Sequence, residues 1–348
     1  MRIEEGTKYD FDDLIVTPKR STMESRSEVL LERTFEFPYS KKTWTGVPII
    51  TANMDTVGTF EAYEVLSQYN ILTCFHKFYT INDYVNYMEK KDLDPERYVI
   101  STGIRDEDFE KTKKLVDILN PKFLCIDVAN GYSHKFIEVV QKYRRQFPEL
   151  VLMGGNVVTP EMVQELHISG GLDVVKVGIG SGSACTTRIL TGCGYPQLSA
   201  IDKCGDASHG LNAHMISDGG VRSPGDVAKA FCAGADFVMI GGLFAGHDES
   251  GGTLITKEDG KQYKEFYGMS SDTAMNKHYG GKESYRASEG RTLHIPYKGP
   301  IKNTIEAMLG GVRSNCTYIG ARRLKDMPKC ASFVRVNRQY NDMYVRFV

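Results

Sequence analysis

The residues with the most chemical content form the run GIGSGSACTTR, positions 178–188. Alternating glycines and two serines surround a single cysteine, Cys185. Cysteines placed for packing sit inside apolar runs, as Cys74, Cys125 and Cys232 do. Cys185 instead precedes Thr186, Thr187 and Arg188, and a neighbouring guanidinium favours the nucleophilic thiolate. Cys185 is therefore a candidate nucleophile, with a structural thiol as the alternative. Two glycine pairs, Gly219-Gly220 after Asp218 and Gly241-Gly242, offer backbone amides that an anion can approach closely. Ser183 and Tyr267 add candidate hydroxyl donors. Asp218 suits ribose hydroxyls, or else caps its own turn. Glu289, in the run RASEG, is a lone carboxylate that by burial trends alone would be a solvated charge.

These groups need a frame, and eight short apolar runs supply one. They are 47–55, 71–77, 98–103, 123–131, 150–156, 174–182, 214–220 and 236–242. Each is continuous rather than alternating, as strands buried on both faces of a parallel sheet are. Amphipathic segments lie between them, at 106–120, 133–147 and 224–235; in the first, Phe109, Leu115, Val116 and Ile118 are expected on the buried stripe. Eight strands alternating with helices predict an α/β fold of the (β/α)₈, or TIM-barrel, class. An open doubly wound sheet is the rival, weakened because no Gly-x-Gly-x-x-Gly opens the first unit. In a barrel the site collects at the strand C-terminal ends. Those ends gather Asp55, Lys77, Thr102, Asp127, Asn156, Gly180, Asp218 with its glycine pair, and Gly241-Gly242. Asp127, flanked by apolar residues, is expected to point into the mouth.

The chain reads as one domain over 1–348. Within it, residues 243–300 are a long polar, glycine-rich insertion after the eighth strand, expected to form a lid with a hairpin near Glu258-Asp259-Gly260. A net charge of −1 argues against nucleic acid or an anionic membrane as partner. No apolar run reaches the roughly 18 residues of a membrane span. The eight cysteines form no CxxC pair, which argues against a zinc knuckle. The N-terminal MRIEEGTKYDFDD is unlike a secretion signal, and MYVRFV matches no Ser-Lys-Leu address, so a reduced, cytoplasmic protein is expected.

Taken together, GSACTTR followed by GYPQLSA, then SDGG, GADFVMIGG, FYGMSS and YRASEG, with MDTVGT near residue 54 and GGVRSNCTYIGA near 310, resemble the IMP dehydrogenase/GMP reductase family. The resemblance runs along essentially the whole chain, with the motifs in order. It sides with the reductases: no regulatory CBS pair interrupts the barrel, ILTGCGYPQ is reductase-like, and the lid carries Tyr285-Arg286 where the dehydrogenase pattern is Arg-Tyr. A dehydrogenase without its regulatory domain is the main alternative.

The resemblance implies reductive deamination of GMP to IMP and ammonia with NADPH, potassium and a homotetramer, in purine salvage. It casts Cys185 as the nucleophile at purine C2, with Thr187 and Glu289 as the proton relay. Potassium would be held by carbonyls of Gly180, Gly182, Cys185 and Arg188. Ser183, Asp218, Gly219, Gly220, Gly241, Gly242, Tyr267, Gly268, Met269, Ser270, Arg286, Ala287, Ser288, Glu289 and Gly290 would contact the nucleotide. Lys77, Asp127, Val128, Ala129, Ile179, Gly180, Tyr285, Ser314, Asn315, Cys316 and Thr317 would contact NADPH, with Ser25 and Arg26 reaching that of a neighbouring subunit. Two functions of other classes share parts of this set: a non-catalytic nucleotide sensor, which has no use for Cys185 and Glu289 together, and a phosphosugar lyase with Lys77 as Schiff base.

Overall fold

The structure is a computed structural model that describes residues 1, 3–281 and 287–337. Tyr285 and Arg286 lie outside the described residues. All eight expected strands are present: β1 (Ile49–Thr51), β2 (Leu72–Phe75), β3 (Tyr98–Thr102), β4 (Phe123–Asp127), β5 (Val151–Val157), β6 (Val174–Val177), β7 (His214–Asp218) and β8 (Phe237–Ile240). They pair in parallel and in sequence order, and β8 returns to β1 through Val238↔Ile49 to close the barrel. The rival open sheet is thereby excluded.

Helices follow the strands outside: α1 (Phe60–Leu66), α2 (Ile81–Met88), α3 (Asp106–Leu119), α4 (His134–Gln146), α5 (Pro160–Ile168), the short α6 (Thr187–Thr191), α7 (Gln197–His209) and α8 (Pro224–Cys232). On α3 the buried stripe is Phe109, Thr112, Leu115 and Leu119, whereas Ile118 is exposed. Phe109 and Leu115 are thus buried as expected and Val116 packs half-buried against the core, but spacings of three and four from Phe109 reach Thr112, Leu115 and Leu119 and pass over 118.

Successive strand residues face opposite sides. Ile50, Leu72, Val99, Phe123, Val151, Val174, Ile216 and Phe237 belong to the cluster inside the barrel; Ile49, Leu124, Leu152, Val175, Met215 and Val238 belong to the larger cluster beneath the helices. A short antiparallel pair, Arg33–Glu36 with Thr43–Gly46, closes the bottom, where Phe35 stacks 4.4 Å from Phe237 and Trp44 Nε1 donates to the Glu96 carbonyl at 2.8 Å. Above the apolar layer the inward columns turn polar. Cys125 is followed by Asp127, Val174 by Lys176, and Ile216 by Asp218. The same period of two that fills the core therefore carries these three groups to the mouth.

Beyond β8, the antiparallel strands β9 (Leu254–Thr256), β10 (Gln262–Tyr267) and β11 (Thr292–Pro296) form a separate three-stranded sheet, with helix α9 (Asp272–Tyr279) between the last two. The hairpin at 258–260 is present: Lys257 and Lys261 pair across it at 2.9 Å. Helix α10 (Ile301–Ile319) then packs against α8. No helix among the described residues is long and apolar enough to cross a membrane. All eight cysteines are free thiols.

Candidate active site

A cavity of about 260 Å³ opens at the C-terminal mouth of the barrel. The insertion after β8 supplies one wall. Residues 289–291, just before β11, cross the cysteine loop as a backbone pair: the Thr186 amide donates to the Glu289 carbonyl at 2.9 Å, and the Arg291 amide to the Ala184 carbonyl at 2.9 Å. This pairing sets the Glu289 side chain beside the cysteine loop. Cys185 Sγ donates to Thr187 Oγ1 at 3.2 Å, and Thr187 Oγ1 donates to Glu289 Oε2 at 2.8 Å. A thiol, a hydroxyl and a carboxylate thus form one continuous path, and all three residues line the cavity. Such a path can take a proton from sulfur and return it to a leaving group.

Across the cavity, Gly219 and Gly220 stand at φ +84 and +83, a left-handed pair that turns successive amides outward. The amides of Gly220, Gly241 and Gly242 donate to no other described residue. A Cβ on Gly242 would lie 2.8 Å from Ser183 Oγ, so that hydroxyl joins the same corner. Open donors converging at a barrel mouth suit a phosphate.

Between these walls stands Lys176, 3% exposed. Its Nζ lies 2.7 Å from Asp127 Oδ1 and 2.7 Å from Asp218 Oδ2. Asn156 Nδ2 also donates to Asp218 Oδ2 at 2.8 Å, leaving Oδ1 for a ligand hydroxyl. Burial pushes the Asp127 pKa up, but Lys176 and Asn53 outweigh it and hold the carboxyl below its ordinary value. Burial likewise opposes charge on Lys176, and the two carboxylates reverse this, so the ammonium is held. Neither Lys176 nor Asn53 was singled out from sequence, and Asn156 only as a strand end. The signal for Lys176 was present: a charge at an inward position of an otherwise apolar strand.

Of the expected nucleotide contacts, Ser183, Asp218, both glycine pairs, Gly268, Met269, Ser270 and Glu289 line the cavity. Ala287, Ser288 and Gly290 do not; they form the lid backbone behind Glu289. Tyr267 is turned away. It is 1% exposed, and its hydroxyl donates at 2.6 Å to Asp55, which also receives Lys277 at 3.0 Å and His278 at 2.7 Å from α9. Tyr267 therefore ties the insertion after β8 to Asp55 of the barrel, where a ligand donor is expected from the sequence. Burial, then the Asp55 carboxylate, pushes the tyrosine pKa up to about 12.

Of the expected dinucleotide contacts, Asp127, Val128, Ala129, Ile179 and Gly180 line the same cavity. Lys77 lines a smaller cleft of about 120 Å³ with Phe78, Arg105, Glu107, Asp108, His278 and Tyr279. Ser314, Asn315, Cys316 and Thr317 lie on α10, with Cys316 fully buried, and the turn holding Ser25 and Arg26 packs on that helix. None of these six lines either cavity. Arg188 does not serve the thiol as expected. Its guanidinium donates to Asp10 Oδ2 at 2.7 Å and to the Tyr195 carbonyl.

Fold and site define a (β/α)₈-barrel protein with a thiol–hydroxyl–carboxylate path and a corner of open glycine amides facing one cavity. The chain belongs to the IMP dehydrogenase/GMP reductase family: the family model for the IMP dehydrogenase / GMP reductase domain matches residues 8–340. Relatives named GMP reductase include those of Caenorhabditis elegans, 54% identical over 348 residues (99% of this chain, 97% of the relative), and Ascaris suum, 54% over 347 residues with the same coverage. One from Escherichia coli O139:H28 is also 54% identical over 347 residues, covering 99% of both chains.

Proposed function

We propose that this protein converts GMP to IMP and ammonia, using NADPH and a covalent thioimidate on Cys185, in purine nucleotide salvage. The path from Cys185 through Thr187 to Glu289 carries this reading. The purine amine is a poor leaving group, and sulfur attack at C2 prepares its departure. The thiol proton passes through Thr187 to Glu289. The C2–S bond forms, the C2–N bond breaks, and the relay returns that proton to the amine, which leaves as ammonia. NADPH, when bound, supplies the hydride that replaces sulfur at C2 and frees Cys185 as thiolate.

The remaining residues bind and orient. Asp218 takes ribose hydroxyls, Ser183 with Gly219, Gly220, Gly241 and Gly242 the phosphate, and Gly268, Met269 and Ser270, with the lid from Arg286 to Gly290, the base. Asp127, Val128, Ala129, Ile179 and Gly180, with Tyr285, hold the dinucleotide next to C2; their common cavity wall fits that task. Lys77 extends the dinucleotide surface into its cleft. Ser314, Asn315, Cys316 and Thr317 contact the dinucleotide, and Ser25 and Arg26, in the turn that packs on their helix, reach that of a neighbouring subunit in a homotetramer. The carbonyls of Gly180 and Cys185 accept no backbone hydrogen bond from the described residues, which suits a potassium ion held with Gly182 and Arg188. Potassium would stiffen the loop as an oxygen-seeking cation. The setting is cytoplasmic.

The test is absorbance at the nicotinamide band with purified protein and potassium. GMP with NADPH loses absorbance and releases ammonia, and the rate falls when sodium or lithium replaces potassium. Gain of absorbance from IMP with NAD⁺, yielding XMP, overturns the proposal in favour of a dehydrogenase.

A further inference from the structure

The acidic, polar N-terminal stretch, in the sequence notable only as unlike a secretion signal, reaches beneath both loops of the site. Phe11 is 2% exposed, and its ring lies 3.1 Å from where a Cβ on Gly220 would stand. Lys229 Nζ donates to the Phe11 carbonyl at 2.7 Å, and Tyr9 and Ser199 exchange hydrogen bonds at 2.8 and 3.1 Å. On the nucleophile side, Asp10 Oδ2 accepts from Arg188 at 2.7 Å while Oδ1 accepts from the Gln197 amide at 2.5 Å. The Arg188 stem runs between two glycines: a Cβ on Gly180 or Gly194 would meet its Cγ at 2.5 or 2.6 Å. The Tyr195 carbonyl accepts from the same guanidinium. A fork held at both sides and a stem packed between two backbones leave Arg188 one position. Arg188 in turn is covalently three residues from Cys185.

We infer that Asp10 is a positioning residue for the nucleophile, acting through Arg188 to hold loop 178–188 in the shape that aims Cys185 at Thr187. The inference as it concerns the thiol stands on geometry alone. Its extension to potassium, whose carbonyls come from the same loop, rests on the proposed function. With Arg188 released, Cys185 loses its fixed approach to Thr187 Oγ1.

Asp10→Asn in the full-length protein tests this. Asparagine keeps an oxygen for the Gln197 amide and turns an NH₂ toward Arg188. The first readout is iodoacetamide labelling of Cys185 relative to exposed Cys193, read by mass spectrometry. The second is the potassium concentration that half-saturates the rise in thermal midpoint. The labelling ratio is expected to fall about three- to tenfold, the range for a charged hydrogen bond discounted for its half-exposed partners. The potassium requirement is expected to rise by about the same factor. Asp10→Glu restores most of both, and Asp12→Asn, which breaks a surface pair with Arg222 in the same segment, changes neither. Should Asp10→Asn fail to fold, Arg188→Lys, which keeps stem and charge but loses the fork, is expected to lower the labelling ratio in the same direction. An unchanged or raised ratio in a folded variant overturns the inference. If the wild type shows no potassium response, the potassium reading fails, and the labelling ratio still decides the role of Asp10.

Discussion

The hydroxyl of Thr187 donates to Glu289 Oε2 at 2.8 Å, bridging 102 residues of sequence between the barrel loop and the lid. The contact exists because the lid backbone pairs with the loop on both sides of Cys185. Glu289→Gln leaves that pairing and the side-chain volume intact but removes the proton acceptor. Turnover is expected to fall about 10²–10⁴-fold, the usual span for a lost general acid–base group. GMP affinity, measured by equilibrium binding, is expected to change little. A wild-type rate would break the assignment of the relay.

Cys185→Ala removes the head of the same path. Steady-state assays are expected to show no turnover, while titration calorimetry still detects GMP, because the cradle and Asp218 are untouched. The covalent adduct, visible in the wild type as a mass increase on the peptide holding residue 185, is expected to vanish. Turnover near the wild-type rate would assign the attack to another group.

The barrel was legible because its strands are buried on both faces, so each reads as an unbroken apolar run. Cys185 was legible because its polar, glycine-rich surroundings are wrong for a packing thiol. On α3 the sequence pointed to Ile118, which is exposed, and passed over Thr112, which although polar is buried through its hydroxyl bonds to Thr102 and the Asp108 carbonyl. Arg188 was read against its nearest neighbour in sequence, the thiol, whereas its partner Asp10 lies 178 positions away. Tyr267 was misread for the same reason, since Asp55 is 212 positions distant. Residue type and local context set a cysteine apart from the packing thiols; which charge neutralises which is decided by barrel closure.

Lys176 offers a test of that closure. Lys176→Met leaves Asp127 and Asp218 facing one another with no cation between them. Breaking a buried pair on one side is expected to cost about 3 kcal/mol, read as a loss of unfolding free energy in urea. The Michaelis constant for GMP is expected to rise, because Asp218 loses the ammonium that fixes its Oδ2. Lys176→Arg, which keeps the charge, is expected to fall between the two. Equal stability of the Met variant and the wild type would deny Lys176 this electrostatic role.

At the opposite end of the barrel, Asp236 is fully buried and pairs with Arg33 at 2.8 Å and His209 at 2.9 Å, while accepting from the Met215 amide at 3.1 Å. Burial pushes its pKa up, but the bonds from His209 and His214 and the charge of Arg33 outweigh this and hold the carboxyl well below its ordinary range. A carboxyl depressed in the folded state stabilises above its unfolded pKa of about 4, and that contribution is lost as pH falls toward the folded value. His209 runs the other way. Its bond to Asp236, partly opposed by burial, raises its pKa, so its contribution is full below the unfolded value of about 6.5 and fades as pH climbs through the raised folded value. Both act together between roughly pH 4 and 6.5. Asp236→Asn is therefore expected to cost about 3–5 kcal/mol in that window, as removal of one member of a buried ion pair does. Urea unfolding of wild type and variant from pH 3 to 8 checks this. The gap between the two is expected to narrow at the acid end and, more weakly, above neutrality. A gap independent of pH would mean that Asp236 acts through packing rather than charge.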